Sequence, residues 1–128
     1  MKCPYCNGVA QCQDNIKIYK TRSYGFAYIC ENYPQCNAYV GVHKGTTKAL
    51  GRLANPELRS WKIAAHNELD SLWKGPEKKM NRKKAYALAS KLMGVSEFHI
   101  GESDVIECKK IIIELQKWKG VQLSLSLK

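Results

Sequence analysis

The chain lacks any apolar run near the roughly 20 residues that a bilayer-crossing helix needs, which excludes a helical membrane span. Met1 runs almost directly into the first cysteine pair, so no targeting segment is expected ahead of Cys3. The expectation is a cytoplasmic chain, in a reducing compartment where thiols stay available to metal. Internal repeats and low-complexity tracts are also absent, so 128 residues mean one compact domain or two very small ones. Acid is scarce: 11 Asp and Glu stand against 21 Lys and Arg, for a formal net charge of +10. That imbalance favours a polyanionic partner, usually nucleic acid, or an acidic protein surface. The phosphate-loop spacing G-x4-G-K-[ST] is missing, and no metallonuclease motif is present.

What the chain does have is cysteine in pairs. Cys3-Pro4-Tyr5-Cys6 is a C-x2-C knuckle, a short turn that aims two thiolates at one point. Cys30-Glu31-Asn32-Tyr33-Pro34-Gln35-Cys36 is a wider loop rich in turn-forming residues. Two such pairs supply four thiolates, the full set for a tetrahedral zinc ion at roughly 2.3 Å from each sulfur. Cys3, Cys6, Cys30 and Cys36 are therefore the expected ligands of one structural Zn(II). Cys12 is an extra thiol that would compete for metal, but it lacks a knuckle partner. A disulfide framework is the alternative, disfavoured by the leftover cysteines and the missing leader. Forty residues hardly bury enough apolar surface to fold unaided, so zinc binding of roughly 10–16 kcal/mol would be largely folding free energy.

Between the pairs, strand-like segments cover 9–13, 16–20, 26–30 and 38–42, with Asp14-Asn15 as a tight turn and Ser23-Tyr24-Gly25 opening a second hairpin. The segment is unusually aromatic. Most of its rings would cover the small ribbon core, while Tyr24, Phe26 and Tyr28 are candidates to stack on unpaired bases. Lys17, Lys20 and Arg22 alternate with the rings and would meet phosphates. The 41–47 stretch, Gly-Val-His-Lys-Gly-Thr-Thr, reads as a connector in which His43 and Lys44 are ligand candidates.

From Asn55 the period changes to that of helices. Asn55-Pro56-Glu57 is an N-terminal start signal, and Leu58, Trp61, Ala65, Leu69 and Leu72 form one apolar stripe ending before Gly75-Pro76. A second helix is expected from an Asn81 cap to Met93, stopped by Gly94. A third begins at Ser103 or Asp104 and runs to about Lys119, with Cys108 as a small core residue. The residues Lys78, Lys79, Arg82, Lys83 and Lys84 make the densest positive run, at a helix start where free N–H groups add to the field. Val121 to Leu127 alternates Leu with Ser or Gln and reads as a short strand. The fold class is α+β: a four-cysteine zinc ribbon over 1–48, then a helical domain over 49–128 packed against it, with three helices and a short C-terminal strand.

The segment Tyr28-Ile29-Cys30-Glu31-Asn32-Tyr33-Pro34-Gln35-Cys36, after a Cys-Pro-x-Cys knuckle, resembles the zinc ribbons at the C-terminal end of bacterial type IA topoisomerases. Those ribbons bind single-stranded DNA, so the resemblance implies a similar task for this third of the chain. Across nearly its whole length the sequence is similar to a family of small zinc-finger-containing phage and prophage proteins without a settled activity. The residues that carry this include Cys3 to Cys6, Tyr33 to Gly41, His43 to Thr46, Ala65-His66, Asp70, Leu72-Trp73, Arg82 to Tyr86, His99 to Gly101 and Cys108. This resemblance implies a phage or prophage source and a bacterial host cell.

Three functions compete. The leading one is a non-enzymatic module for nucleic acid, DNA and especially single-stranded DNA, using Lys17, Lys20, Arg22, Tyr24, Phe26, Tyr28, Lys44, Lys78, Lys79, Arg82, Lys83 and Lys84. A second is a protein-binding effector acting on a host complex. The third is a nuclease or other hydrolase, with His43, His66, Asp70 and His99 converging on one site. Against the last, the three histidines lie on separate segments, and a single histidine near an apolar face is usually a satisfied core residue.

Overall fold

The computed structural model describes residues 1–76 and 78–126, with the backbone alone for 123–126. The chain divides into two compact units, Met1–Arg59 and Ser60–Lys128.

The first unit is a three-stranded antiparallel sheet in the order β1 (Ala10–Asp14), β2 (Phe26–Cys30), β3 (Tyr39–Gly41). The register pairs Ala10 with Cys30 and Cys12 with Tyr28, and Tyr28 in turn with Val40. Since side chains alternate along a strand, Phe26, Tyr28 and Cys30 share one face with Ala10, Cys12 and Val40. The core on that face is Cys3, Ala10, Cys30, Ala38 and Leu53, with Tyr28, Cys36 and Val40 packed against it. Two of the five fully buried members are cysteines, so sulfur fills much of what would elsewhere be Leu or Ile. Residues 49–59 belong to this unit. Ala49 bridges to Val42 and Ala54 to Tyr39, and the Tyr5 hydroxyl donates to the Leu53 carbonyl at 3.1 Å.

Arg59 closes this unit. Its guanidinium donates to the carbonyls of Asn37 and Ala54 at 3.1 and 2.7 Å and to Asn37 Oδ1 at 2.9 Å. It also lies 4.0 Å from the Tyr39 ring centroid, so a planar, permanently charged fork serves both as donor and as stacking partner.

The expected strand over 16–20 is replaced by a single helical turn, α1 (Ile16–Tyr19). Two short polar side chains divert the backbone. Asp14 Oδ1 accepts from the Ile16 N–H at 2.9 Å, and buried Asn15 accepts from the Tyr24 N–H at 2.8 Å. Such local acceptors compete with a sheet ladder for backbone donors. Lys20 then adopts φ 66°, and the Asn15 N–H bonds the Gly25 carbonyl at 2.9 Å. Residues 15–25 are thus a closed excursion between β1 and β2, in the manner of an Ω-loop.

The second unit is helical. It takes most of α2 (Pro56–Asp70), which starts under an Asn55 cap, with α3 (Arg82–Met93) and α4 (Val105–Ser126). Asn81 Oδ1 accepts from the Lys84 N–H at 2.8 Å, and Gly94 ends α3 at φ 71°, as the start and stop residues predict. Asp104 and Glu107 form a reciprocal capping box, each side chain accepting from the other's backbone N–H, at 2.8 and 3.2 Å. Ala65, Leu69, Leu72, Ala85, Ala89, Phe98, Ile100, Cys108, Ile111 and Leu115 are buried. Lys119 Nζ ties α4 to the end of α2 through Glu68 at 2.6 Å and Ser71 at 2.7 Å.

The expected C-terminal strand is corrected: α4 continues through Val121 to Ser126, and Leu127 lies outside the described residues. A strand needs a neighbour for its ladder, whereas each residue added to an established helix gains its bond locally. Leu and Gln are good helix formers, so one Gly120, costing about 1 kcal/mol, does not end the helix. The architecture remains α+β.

Candidate metal centre

The two cysteine pairs come from two turns. In the first, the Cys3 N–H bonds the Gly8 carbonyl at 2.8 Å, Asn7 turns the chain at φ 64°, and Lys2 bridges to Val9. In the second, Cys30 ends β2 and accepts from the Tyr33 N–H at 3.0 Å, while the Cys36 N–H bonds the Asn32 carbonyl at 2.9 Å. The four sulfurs lie within 4.8 Å of one another, with Cys3 to Cys36 at 3.6 Å and Cys6 to Cys30 at 3.4 Å. A tetrahedron with Zn–S of roughly 2.3 Å puts its sulfurs about 3.8 Å apart. The arrangement therefore suits one structural zinc ion held by Cys3, Cys6, Cys30 and Cys36.

Donors around the sulfurs support that reading. The Gly8 N–H reaches Cys6 Sγ at 3.4 Å and the Asn32 N–H reaches Cys30 Sγ at 3.5 Å. The Asn32 side-chain amide donates to Cys6 Sγ at 3.3 Å. Asn32 and then Gly8 pull the exposed Cys6 thiol down to about 6. Burial pushes Cys30 and Cys36 up. Hydrogen bonds thus favour the thiolate at Cys6, while burial disfavours charge at Cys30 and Cys36. Cys12 stands apart from this group, two positions along β1 from Ala10 and opposite Tyr28.

The other candidate residues fall into separate places. In the first unit Lys17, Lys20, Arg22 and Lys44 are exposed, as are Tyr24 (60%) and Phe26 (57%). Arg22 lies over the Tyr24 ring at 4.7 Å, and Tyr19 meets that ring edge-on at 5.0 Å. Tyr24, Phe26 and Lys44 line one open groove of about 1120 Å3 together with Cys12, Val42, Thr46 and Thr47. Tyr28 is half-buried, and its hydroxyl donates to the Thr47 carbonyl at 2.7 Å, which anchors the 44–47 loop. In the second unit Lys78, Lys79, Lys83 and Lys84 are exposed, while Arg82 lies over the rings of Tyr86 and Trp73 at 4.6 and 5.8 Å.

The histidines each have local business. His43 is exposed; His66 Nδ1 sits 2.9 Å from the Lys62 carbonyl, and His99 Nε2 2.9 Å from Glu97. Asp70 accepts from the Trp73 indole at 3.0 Å and pairs with Lys74 at 3.3 Å. Among the described residues, the four cysteines are the one cluster of three or more side chains placed to share a metal. Sequence reasoning missed Asn32, whose position two residues after a ligand was the available signal, and the pairing of Cys12 with the groove.

A thiolate-lined centre between two turns of a small antiparallel sheet defines a zinc-finger protein. The family of zinc-finger-containing domains DUF3268 matches residues 1–118, and the chain belongs to it. No curated protein and no solved structure matches the chain. No helix among the described residues is long and apolar enough to cross a membrane.

Proposed function

We propose that this protein is a non-enzymatic binder of nucleic acid, with single-stranded DNA preferred, and that its zinc serves to hold the binding surface. The observation that carries this is the 15–26 segment, where exposed Tyr19, Tyr24 and Phe26 alternate with exposed Lys17, Lys20 and Arg22. Rings accept any base by stacking, and cations neutralise phosphates, so the combination suits a strand read without regard to sequence. Four ligated thiolates and one zinc change the formal charge of +10 to about +8, which leaves the surplus intact. The phage or prophage setting implied by the sequence resemblance fits such a role. The exposed lysines of 78–84 offer phosphates a second surface.

Fluorescence anisotropy with labelled single-stranded and duplex oligonucleotides, at several salt concentrations, tests the reading. If six phosphates are contacted, log affinity for a single strand falls against log salt with a slope of about −4. A flat salt response rejects it.

A further inference from the structure

We propose that the groove between residues 24–26 and the 44–47 loop is the seat of the unpaired bases, with Cys12 on its wall. The inference rests on the nucleic-acid reading and assigns it a place. Phe26 and Tyr24, both more than half exposed, line the groove together with Lys44 and the Thr46-Thr47 pair. It is open, with a volume of about 1120 Å3, so an extended strand can lie along it without being enclosed.

The charge around the groove is complementary to such an occupant. Arg22 adjoins Tyr24, and Lys44 is itself a lining residue. Asp14, opposite Phe26 in the sheet, has one carboxylate oxygen turned to the Ile16 N–H. Val42 and Cys12 add apolar wall against which a base edge, but not a phosphate, is at home. A duplex offers no free base faces for this, since its bases are already stacked and paired. The Tyr28 hydroxyl bond to Thr47 then acts as a brace that keeps the 44–47 loop in place.

Cys12 makes the proposal measurable. It is a free, partly exposed thiol, whereas Cys108 is buried and Cys3, Cys6, Cys30 and Cys36 would be engaged by the metal in the zinc-loaded chain. The zinc-loaded full chain is treated with a maleimide, and labelling of the Cys12 peptide is followed by mass spectrometry with and without oligothymidylate. Saturating single strand is expected to slow Cys12 labelling by about tenfold, and Phe26→Ala to weaken the affinity by about tenfold, within the range for one lost stack. Zinc content of each variant reports that the fold is intact. Binding that leaves Cys12 labelling unchanged overturns the groove while sparing the nucleic-acid reading. Equal protection by a duplex overturns the assignment to unpaired bases, and failure to bind any oligonucleotide overturns both.

Discussion

Asn32 reaches from the second cysteine turn to Cys6 of the first, its side-chain amide donating to Sγ at 3.3 Å. The residue is not a ligand, yet it joins the two turns and stabilises the one sulfur that is most exposed. Partners of this kind typically tune metal affinity by 10–100-fold. Asn32→Ala is accordingly expected to weaken zinc binding by about tenfold or more, without changing the one-to-one stoichiometry. Competition against a chromophoric chelator measures this directly. Unchanged affinity would remove Asn32 from the account.

Gly8 stands against the same amide. A Cβ there would lie 2.9 Å from Asn32 Nδ2, 3.1 Å from Glu31 Cγ and 3.3 Å from Cys6 Sγ. Gly8→Ala must displace Asn32, so its cost should be partly contained in that of Asn32→Ala. In a double-mutant cycle read by zinc affinity, coupling of about 0.5–3 kcal/mol is expected, with the double variant better than additive. Strict additivity would show that the two side chains do not share the site.

Metal removal should act unequally on the two units. In the first, Cys3 and Cys30 are both ligand and core, in one buried cluster with Ala10, Ala38 and Leu53. In the second, Leu69, Leu72, Phe98, Ile100, Ile111 and Leu115 are buried without any metal ligand among them. After chelation, amide exchange is expected to accelerate at Ala10, Ile29 and Cys30 while Cys108, Ile111 and Leu115 stay protected. Exchange followed by mass spectrometry decides it, and uniform loss of protection would contradict the division.

Helix α4 supplies the complementary test. Leu115→Ala opens a cavity in the second unit and is expected to cost about 2–5 kcal/mol. Asp104→Ala removes half of the capping box, for a cost of about 1 kcal/mol. Urea unfolding measures both, and zinc content should not change in either. Loss of zinc in Leu115→Ala would mean that the metal centre depends on the helical core.

Sequence and structure agree most closely where one local interaction decides the outcome. Asn55, Asn81 and Gly94 mark helix ends because caps act through the nearest backbone groups, and the four cysteines are brought together because a tetrahedral ion allows few spacings. Strand β2 occupies the 26–30 segment expected of it. Disagreement begins where a distant partner rules. The 16–20 segment has strand-like alternation, but the Asn15 side chain is spent on the Tyr24 N–H, nine residues on. The 121–127 alternation looked like a strand, yet alternation carries no information about whether a neighbouring strand exists. Tyr28 is a stacking candidate by sequence, and its hydroxyl also holds the carbonyl of Thr47, a contact no spacing announces.

Strand β2 carries a ligand, Cys30, at one end and a groove residue, Phe26, at the other. At about 3.3 Å per residue the two are separated by about 13 Å of extended chain. A guest in the groove would therefore leave the metal's own surroundings untouched, and the ion acts as a rivet rather than a reagent. Cobalt put in place of zinc should keep its colour when oligonucleotide is added, while a thiol reagent at Cys12, on the neighbouring strand β1 opposite Tyr28, would sense the guest at once.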